Sequence, residues 1–189
     1  MVSEPGASRA LPTHGRLRAP RIPEPFHIVL VEPEIPPNTG NAARLSAATC
    51  CPLHLVGKLG FRIDEHSVRR AGLDYWHLVE VAQHETLDLA EAHIRERSAS
   101  LRRRPRSWLL SGKAQQSFLE ADFAPGDALV FGKESVGLPE PLLEARPDSV
   151  IGIPTLGEVR SLNLANAVAI VLYEALRQIG ALAIDPARR

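Results

Sequence analysis

From Phe26 onward, short runs of β-branched and aromatic residues alternate with stretches in which apolar residues recur at helical spacing. The short runs predict strands at residues 26–31, 53–57, 78–81, 107–110, 128–131 and 150–153. The helical spacing predicts helices at 39–49, 65–71, 87–101, 139–145 and 161–179. Strand and helix in regular alternation give an α/β fold, a largely parallel sheet with helices on both faces. In such sheets ligands bind beyond the carboxyl ends of the strands, so the segments after each strand are where chemistry is expected. The last helix is unusually apolar. Ala165, Val168, Ala169, Leu172, Leu176 and Ile179 share one face, with Leu164, Val171 and Ala175 beside them, more than one sheet can cover. Assigning Val171 to the outer face leaves a second apolar surface that a dimer interface would bury.

Residues 1–25 show neither periodicity. They hold Pro5, Pro12, Pro20, Pro23 and Pro25 among Gly, Ala and Arg, and read as a disordered tail ahead of one domain, 26–189. A chain of 189 residues, 44% hydrophobic, fills one core but not two. With 22 basic and 22 acidic side chains the net charge is zero, so any nucleic-acid site must be a local patch. The two cysteines, Cys50 and Cys51, are adjacent, which excludes C-x-x-C spacing and a disulfide framework and fits a reducing cytoplasm. No apolar run approaches the roughly 18 residues of a membrane span.

Several familiar patterns fail. Five residues separate Gly126 from Gly132 ahead of Lys133, where a P-loop needs four, and Glu134 replaces the metal-binding hydroxyl. No G-x-G-x-x-G follows the first strand, and in GKESVG the serine is one place out of register for a nucleophile elbow. Without an H-E-x-x-H pair, His27, His54, His66, His77 and His84 read as scattered core or surface groups, and no metal is expected.

Three segments remain, each following a strand and rich in polar and backbone-permissive residues. In EPEIPPNTGNAARL (32–45), prolines stiffen the approach, Asn38 or Thr39 caps a helix, and Gly40, Asn41 and Arg44 follow on it. A helix N-terminus with a nearby arginine suits a phosphate or a negative transition state. In VFGKESVGLP (130–139), Gly132 and Gly137 flank a charged turn containing Glu134. In IPTLGEVRSLNLANAVAIVLYEALRQ (153–178), Ser161 caps the final helix with Arg160 and Asn163 beside it.

In order and spacing these segments resemble the three motifs of the SPOUT methyltransferases, over residues 26–179. EPEIPPNTGN, RRAGLDYW (69–76) and RSLNLANAV are most similar to the subgroup that methylates the wobble cytidine or uridine of tRNA on its ribose 2′-oxygen. Lys133 departs from the proline frequent at that place. The resemblance implies a trefoil-knotted fold, a homodimer, tRNA as substrate and S-adenosyl-L-methionine as cofactor. It implies cofactor contacts at Leu110, Gly132, Ile153 and Ser161, and a catalytic group drawn from Arg44, Asn41, Glu134, Ser161 and Asn163. RNA contacts are expected from Arg69, Arg70, Arg160 and the run Arg102, Arg103, Arg104. Other RNA sites, ribosomal or in tRNA, and a non-catalytic RNA-binding dimer are the competing readings.

The chemistry needs no metal, because a sulfonium leaving group is already activated and the ribose oxygen needs only in-line approach at about 3 Å. The resemblance gives Arg44 the role of sharing the hydroxyl proton. A guanidinium pKa above about 12 makes the neutral base scarce, so a cation that orients phosphate and stabilises developing alkoxide is the cheaper version.

Overall fold

The computed structural model describes residues 19–22, 25–61 and 78–183. The expected helix at 65–71, with Arg69, Arg70 and the rest of RRAGLDYW, lies outside the described residues.

Among the described residues seven strands form one sheet: β1 His27–Val31, β2 Leu53–Val56, β3 Val81–His84, β4 Ser107–Leu110, β5 Gln116–Ser117, β6 Ala128–Phe131 and β7 Val150–Gly152, in the order β3-β2-β1-β6-β4-β7-β5. Every pairing is parallel. The helices are α1 Pro36–Thr49, α2 Leu87–Arg97, α3 Glu140–Ala145 and α4 Leu164–Gln178. The α/β class and the parallel sheet are as the alternation of patterns predicts.

Successive strand residues point to opposite faces, and here both faces are covered, so the strands read as continuous apolar runs. On one face Ile28, Leu30, Leu53, Leu55, Trp108, Leu129, Phe131 and Ile151 pack under α1 and α4. On the other, Val29, Val56, Leu109 and Val130 meet Ala90 and Ile94 of α2, with Leu142 and Leu143 of α3 alongside. The α1 surface that faces inward is made of small residues, Gly40, Ala42, Ala43 and Ser46, which lets that helix lie close to its neighbours.

Where the elements differ from expectation, pairing and capping are the reasons. Strand β3 runs from Val81 to His84, not over 78–81, because these are the residues in register with Leu53 to Val56. The two-residue β5 has no apolar pattern and exists because Gln116 and Ser117 pair with Ile151 and Gly152. Helix α2 stops at Arg97, four residues early, where Ser98 turns its amide back to Ile94 and Glu96. At the other end of the chain, Ile22 packs on the core, Pro25 is buried, and the Pro25 carbonyl accepts from the Gly126 amide at 3.1 Å. The last residues of the expected tail are therefore tied to the domain.

One assignment is corrected outright. Val171 is fully buried, as are Val168, Leu172 and Ala175, whereas the solvent side of α4 presents Ile170 and Tyr173, 40% and 46% exposed. The helix's apolar band is wide enough that the sequence alone does not say which edge of it turns inward; packing against α1 and β6 decides.

Candidate active site

Strand β1 delivers the chain to Glu32, whose φ of 48° lies in the left-handed region, and from there to α1. Pro36 and Pro37 open that helix and bring no amide hydrogens. The next two amides, of Asn38 and Thr39, turn back to the Ile35 carbonyl at 3.0 and 3.4 Å. The amides of Glu34 and Ile35 go to the Glu134 carboxylate, at 2.8 and 3.3 Å. Each amide hydrogen from Glu34 to Thr39 is thus used inside the chain. The expectation that this helix start offers a phosphate cradle, with Asn38 or Thr39 as cap, is corrected: two prolines remove donors, and a carboxylate about a hundred residues away takes the place of the anion.

Glu134 thus receives the turn that leads into α1, whose N-cap is Ile35, and it also accepts from Asn38 Nδ2 at 2.9 Å. Burial raises its pKa, but the hydrogen bonds from Asn38 and from the backbone amides outweigh that and hold the carboxyl below its usual range. Its loop is bound to the segment after β1 twice more. The Ser135 amide donates to Glu34 Oε2 at 3.0 Å, and Lys133 Nζ reaches Glu32 Oε2 at 2.9 Å. Lys133 thereby has a carboxylate partner within the site. We expect Glu134→Ala to destabilise the protein by about 1–3 kcal/mol, the cost of stranding several donors that bond a carboxylate, read as a shift in urea midpoint at unchanged slope. The loss should persist at every pH above the carboxylate range. Because the folded pKa is depressed, wild type keeps this stabilisation above the ordinary value of 4.5 and loses it only as pH falls through the lowered one.

Asn38 ties in the third segment. Its Oδ1 accepts from Asn163 Nδ2 at 2.9 Å, while Asn163 Oδ1 caps α4 by accepting from the amides of Ala165 and Asn166 at 2.9 and 3.4 Å. The chain Glu134–Asn38–Asn163 therefore joins the loops after β6, β1 and β7. Ser161, expected to cap α4, is exposed, two residues ahead of the actual cap. Sequence reasoning gave Asn38 only a capping role. Its signal is that it sits on the same helix face as buried Ala42 and Ser46, where an amide must find partners. Asn41 and Arg44, three apart, are both exposed on the opposite side of α1.

The expected cofactor contacts converge on the adjacent edge. Leu110 ends β4 in register with Phe131 and Ile151, so Gly132 and Ile153 follow at the carboxyl ends of the two neighbouring strands. The backbones there are nearly touching. A Cβ on Gly152 would lie 2.9 Å from the Ser111 carbonyl oxygen, and one on Gly132 would lie 2.1 Å from the Gly137 carbonyl carbon and 2.2 Å from the Leu138 nitrogen. The requirement for glycine at 132 is thus met already by the chain folding on itself: Gly137, at φ 76°, returns its amide to the Lys133 carbonyl at 2.8 Å. The loop after β7 passes close by, with the Arg160 carbonyl 3.4 Å from the Cβ position of Gly112. Main chains of neighbouring loops lie close together at this edge, a setting for a ligand recognised through main-chain groups.

Arg160 is exposed on that side. Arg102, Arg103 and Arg104 precede β4 and so lie at the amino end of the sheet, away from the site within one chain. Arg103 is committed: it bonds Asp122 Oδ2 at 2.8 Å and the buried Asp127 Oδ2 at 3.3 Å. Among the described residues no group of His, Cys, Asp and Glu is arranged to hold a metal ion, and no helix is long and apolar enough to cross a membrane.

Comparison with known proteins follows the same outline. A chain from an Acidovorax species named tRNA (cytidine(34)-2′-O)-methyltransferase is 49% identical over 154 residues, covering 81% of this chain and 91% of that one. Its namesake from Saccharophagus degradans is 46% identical over 156 residues, covering 82% and 96%. A solved structure described as giving structural insights into the 2-OH methylation of C/U34 on tRNA superposes with a TM-score of 0.72 at 43% identity, over 83% of this chain and 97% of the other. The SpoU methyltransferase AviRb of Streptomyces viridochromogenes, solved with AdoMet, shares the fold at a TM-score of 0.70 and 24% identity, over 89% and 66%. The pattern of the SpoU rRNA Methylase family matches residues 25–173, which spans the sheet, the first two site segments and most of the third, and the chain belongs to that family.

Proposed function

We propose that the protein is an S-adenosyl-L-methionine-dependent methyltransferase that modifies the ribose 2′-hydroxyl of the wobble nucleotide, cytidine or uridine 34, of tRNA. The observation that carries this reading is the hydrogen-bonded chain Glu134–Asn38–Asn163, which fixes the three motif segments to one another beside the backbone-lined edge. The names of relatives close to half identical over four-fifths of this chain support the same substrate. A tRNA substrate is in keeping with a cytoplasmic location.

The cofactor suits the edge at Leu110, Gly132 and Ile153. Close-packed loops there present main-chain donors and acceptors, with half-buried Leu110 and Ile153 for an apolar ring. When bound it supplies a methyl group on a positively charged sulfur. The protein's own work is then positioning. Glu134 and Asn163 hold Asn38 and the start of α1; α1 in turn presents Arg44 and Asn41 on its exposed side. Arg44 orients the phosphate or ribose and stabilises charge developing on the 2′-oxygen, and Arg160, with Arg69 and Arg70, contributes to RNA affinity. The test is nucleoside mass spectrometry of tRNA from a deletion strain. Loss of the 2′-O-methylated nucleoside at position 34, restored by the gene, is expected; an intact position 34 with a loss elsewhere would move the substrate.

We propose further that residues 26–189 form the methyltransferase domain, with 1–25 as an extension whose end is pinned by Ile22 and Pro25, and that the protein is a homodimer through the outer side of α4. Exposed Ile170 and Tyr173 support that surface. In sedimentation at micromolar concentration, Tyr173→Asp combined with Ile170→Asp should give a folded monomer. Val171→Asp should instead lose the fold, by 3 kcal/mol or more for an unpaired charge, as an order of magnitude, because Val171 is fully buried. A wild type that is already monomeric would remove the dimer from the proposal.

A further inference from the structure

Four histidines that look scattered in the sequence are brought together on the α2 side of the sheet. His27 of β1 and His54 of β2 are each 1% exposed, His84 ends β3 half-buried, and His93 is exposed on α2. The first three lie on one diagonal: each parallel register places the next ring one pleat further toward the carboxyl edge. His27 Nδ1 meets His54 Nε2 at 2.9 Å, and His54 Nδ1 meets His84 Nε2 at 3.0 Å. His93 closes over the outer end, its ring centroid 5.7 Å from that of His54 and 5.4 Å from that of His84.

A neutral imidazole has one donor and one acceptor, so three neutral rings satisfy both bonds with every proton pointing the same way along the chain. One added proton places a charge in a buried site. A second sets N–H against N–H and breaks a bond. The other charged groups on α2 give no relief. Arg97 is a cation and is paired with Glu80, which precedes β3; Glu91 is paired with Arg146 and Arg95. Asp88 is paired with Arg146 as well, and the charged groups that act on the buried rings are Arg97 and the histidines themselves.

We propose that this imidazole array is an acid-sensitive latch, which holds β3 and α2 onto β2 while neutral and releases that edge of the sheet on proton uptake. Burial first, then the cationic Arg97 and the neighbouring His93, hold the His27 pKa down to about 4. Burial, then the other histidines, hold His54 down to about 3. His84 is lowered by burial and His93. The ordinary value is 6.5. These groups bind protons more weakly in the folded chain, so their stabilising share is complete above 6.5 and is lost as pH falls from there toward about 4 and 3. The sheet edge, paired on one side only among the described residues, is where the loss should open the structure first.

The test is amide hydrogen exchange of the full chain at about pH 7.5 and about pH 5.5, corrected for intrinsic rate, with histidine ring nitrogens followed by NMR. Protection of the β2–β3 ladder, including the Gly57 amide bonded to the His84 carbonyl, should fall at least about tenfold more than that of the β4–β6 ladder. His27 and His54 should stay neutral down to the onset of opening. In His54→Leu, which replaces the central ring by the residue type on either side of it, the differential loss should shrink severalfold. Equal changes in both ladders, ordinary titration of the buried rings near 6.5 with the edge intact, or an undiminished loss in a folded His54→Leu variant would each overturn the latch. Should that variant fail to fold, the wild-type ring titration and ladder comparison decide alone.

Discussion

Arg44→Ala is expected to abolish methyl transfer to tRNA, by 10²–10³-fold or more as an order of magnitude for a lost charge-stabilising donor, while the melting temperature moves little. Two placements make the separation clean. Arg44 is exposed on α1, and the helix is held by its other side, through Asn38, Gly40, Ala42, Ala43 and Ser46. Nothing in the Glu134–Asn38–Asn163 chain runs through it. Transfer of labelled methyl groups to a tRNA transcript measures the loss; calorimetric titration with S-adenosyl-L-methionine should find affinity within a few-fold of wild type. Arg44→Lys divides the two chemical versions. Lysine keeps the charge and loses the planar fork, so partial activity favours a positioning cation and full loss favours the bidentate geometry or a base. Activity of Arg44→Ala within twofold of wild type, as a rough criterion, would end its catalytic assignment.

Gly132→Ala carries the second large effect, and a single methyl group is enough. Built on this backbone, the Cβ falls 2.1 Å from the Gly137 carbonyl carbon and 2.2 Å from the Leu138 nitrogen, distances no contact tolerates. The clash is with main chain, so no rotamer change relieves it; the 132–138 loop must move. That loop carries Glu134 and Lys133, so its movement strains the Glu134 bonds to the start of α1 and the Lys133–Glu32 pair together. Overpacking of this kind costs about 1–3 kcal/mol of stability. Cofactor affinity should fall by about 2 kcal/mol, roughly 30-fold or more, because the displaced loop is the one proposed to contact it. Calorimetry on the folded variant checks this. Unchanged affinity would place the cofactor elsewhere.

Most of the architecture was legible in the chain. Strands at 107–110 and 128–131 stand where their apolar runs put them, because a strand buried on both faces must be apolar throughout. The three site segments were legible as sequence because glycine, proline and polar residues crowded after strands have few structural uses. The errors share another origin. Neither Asn38 nor Thr39 caps α1, and Asn163 rather than Ser161 caps α4, because the choice of cap depends on which side chain finds a distant partner, and Asn38 finds Asn163 across 125 residues. Val171 was misplaced because an apolar band wider than one contact face carries no mark of its inner edge. His27, His54 and His84 looked unrelated because each is alone in its strand; only the register of three parallel strands sets them in line.

The sequence by itself determined the periods, the turns and the identity of the chemical groups, all of which rest on interactions within a few residues. The tertiary structure decided who meets whom: that Glu134 would serve α1 in the place of a bound anion, that Gly132 would be demanded by Gly137 and Leu138, and that Arg103 would be drawn to Asp122 and Asp127. The pairings of Glu134 and Arg103 reach across 100 and 19 residues, and their free energy depends on the geometry of a parallel sheet in which neighbours in space are remote in sequence.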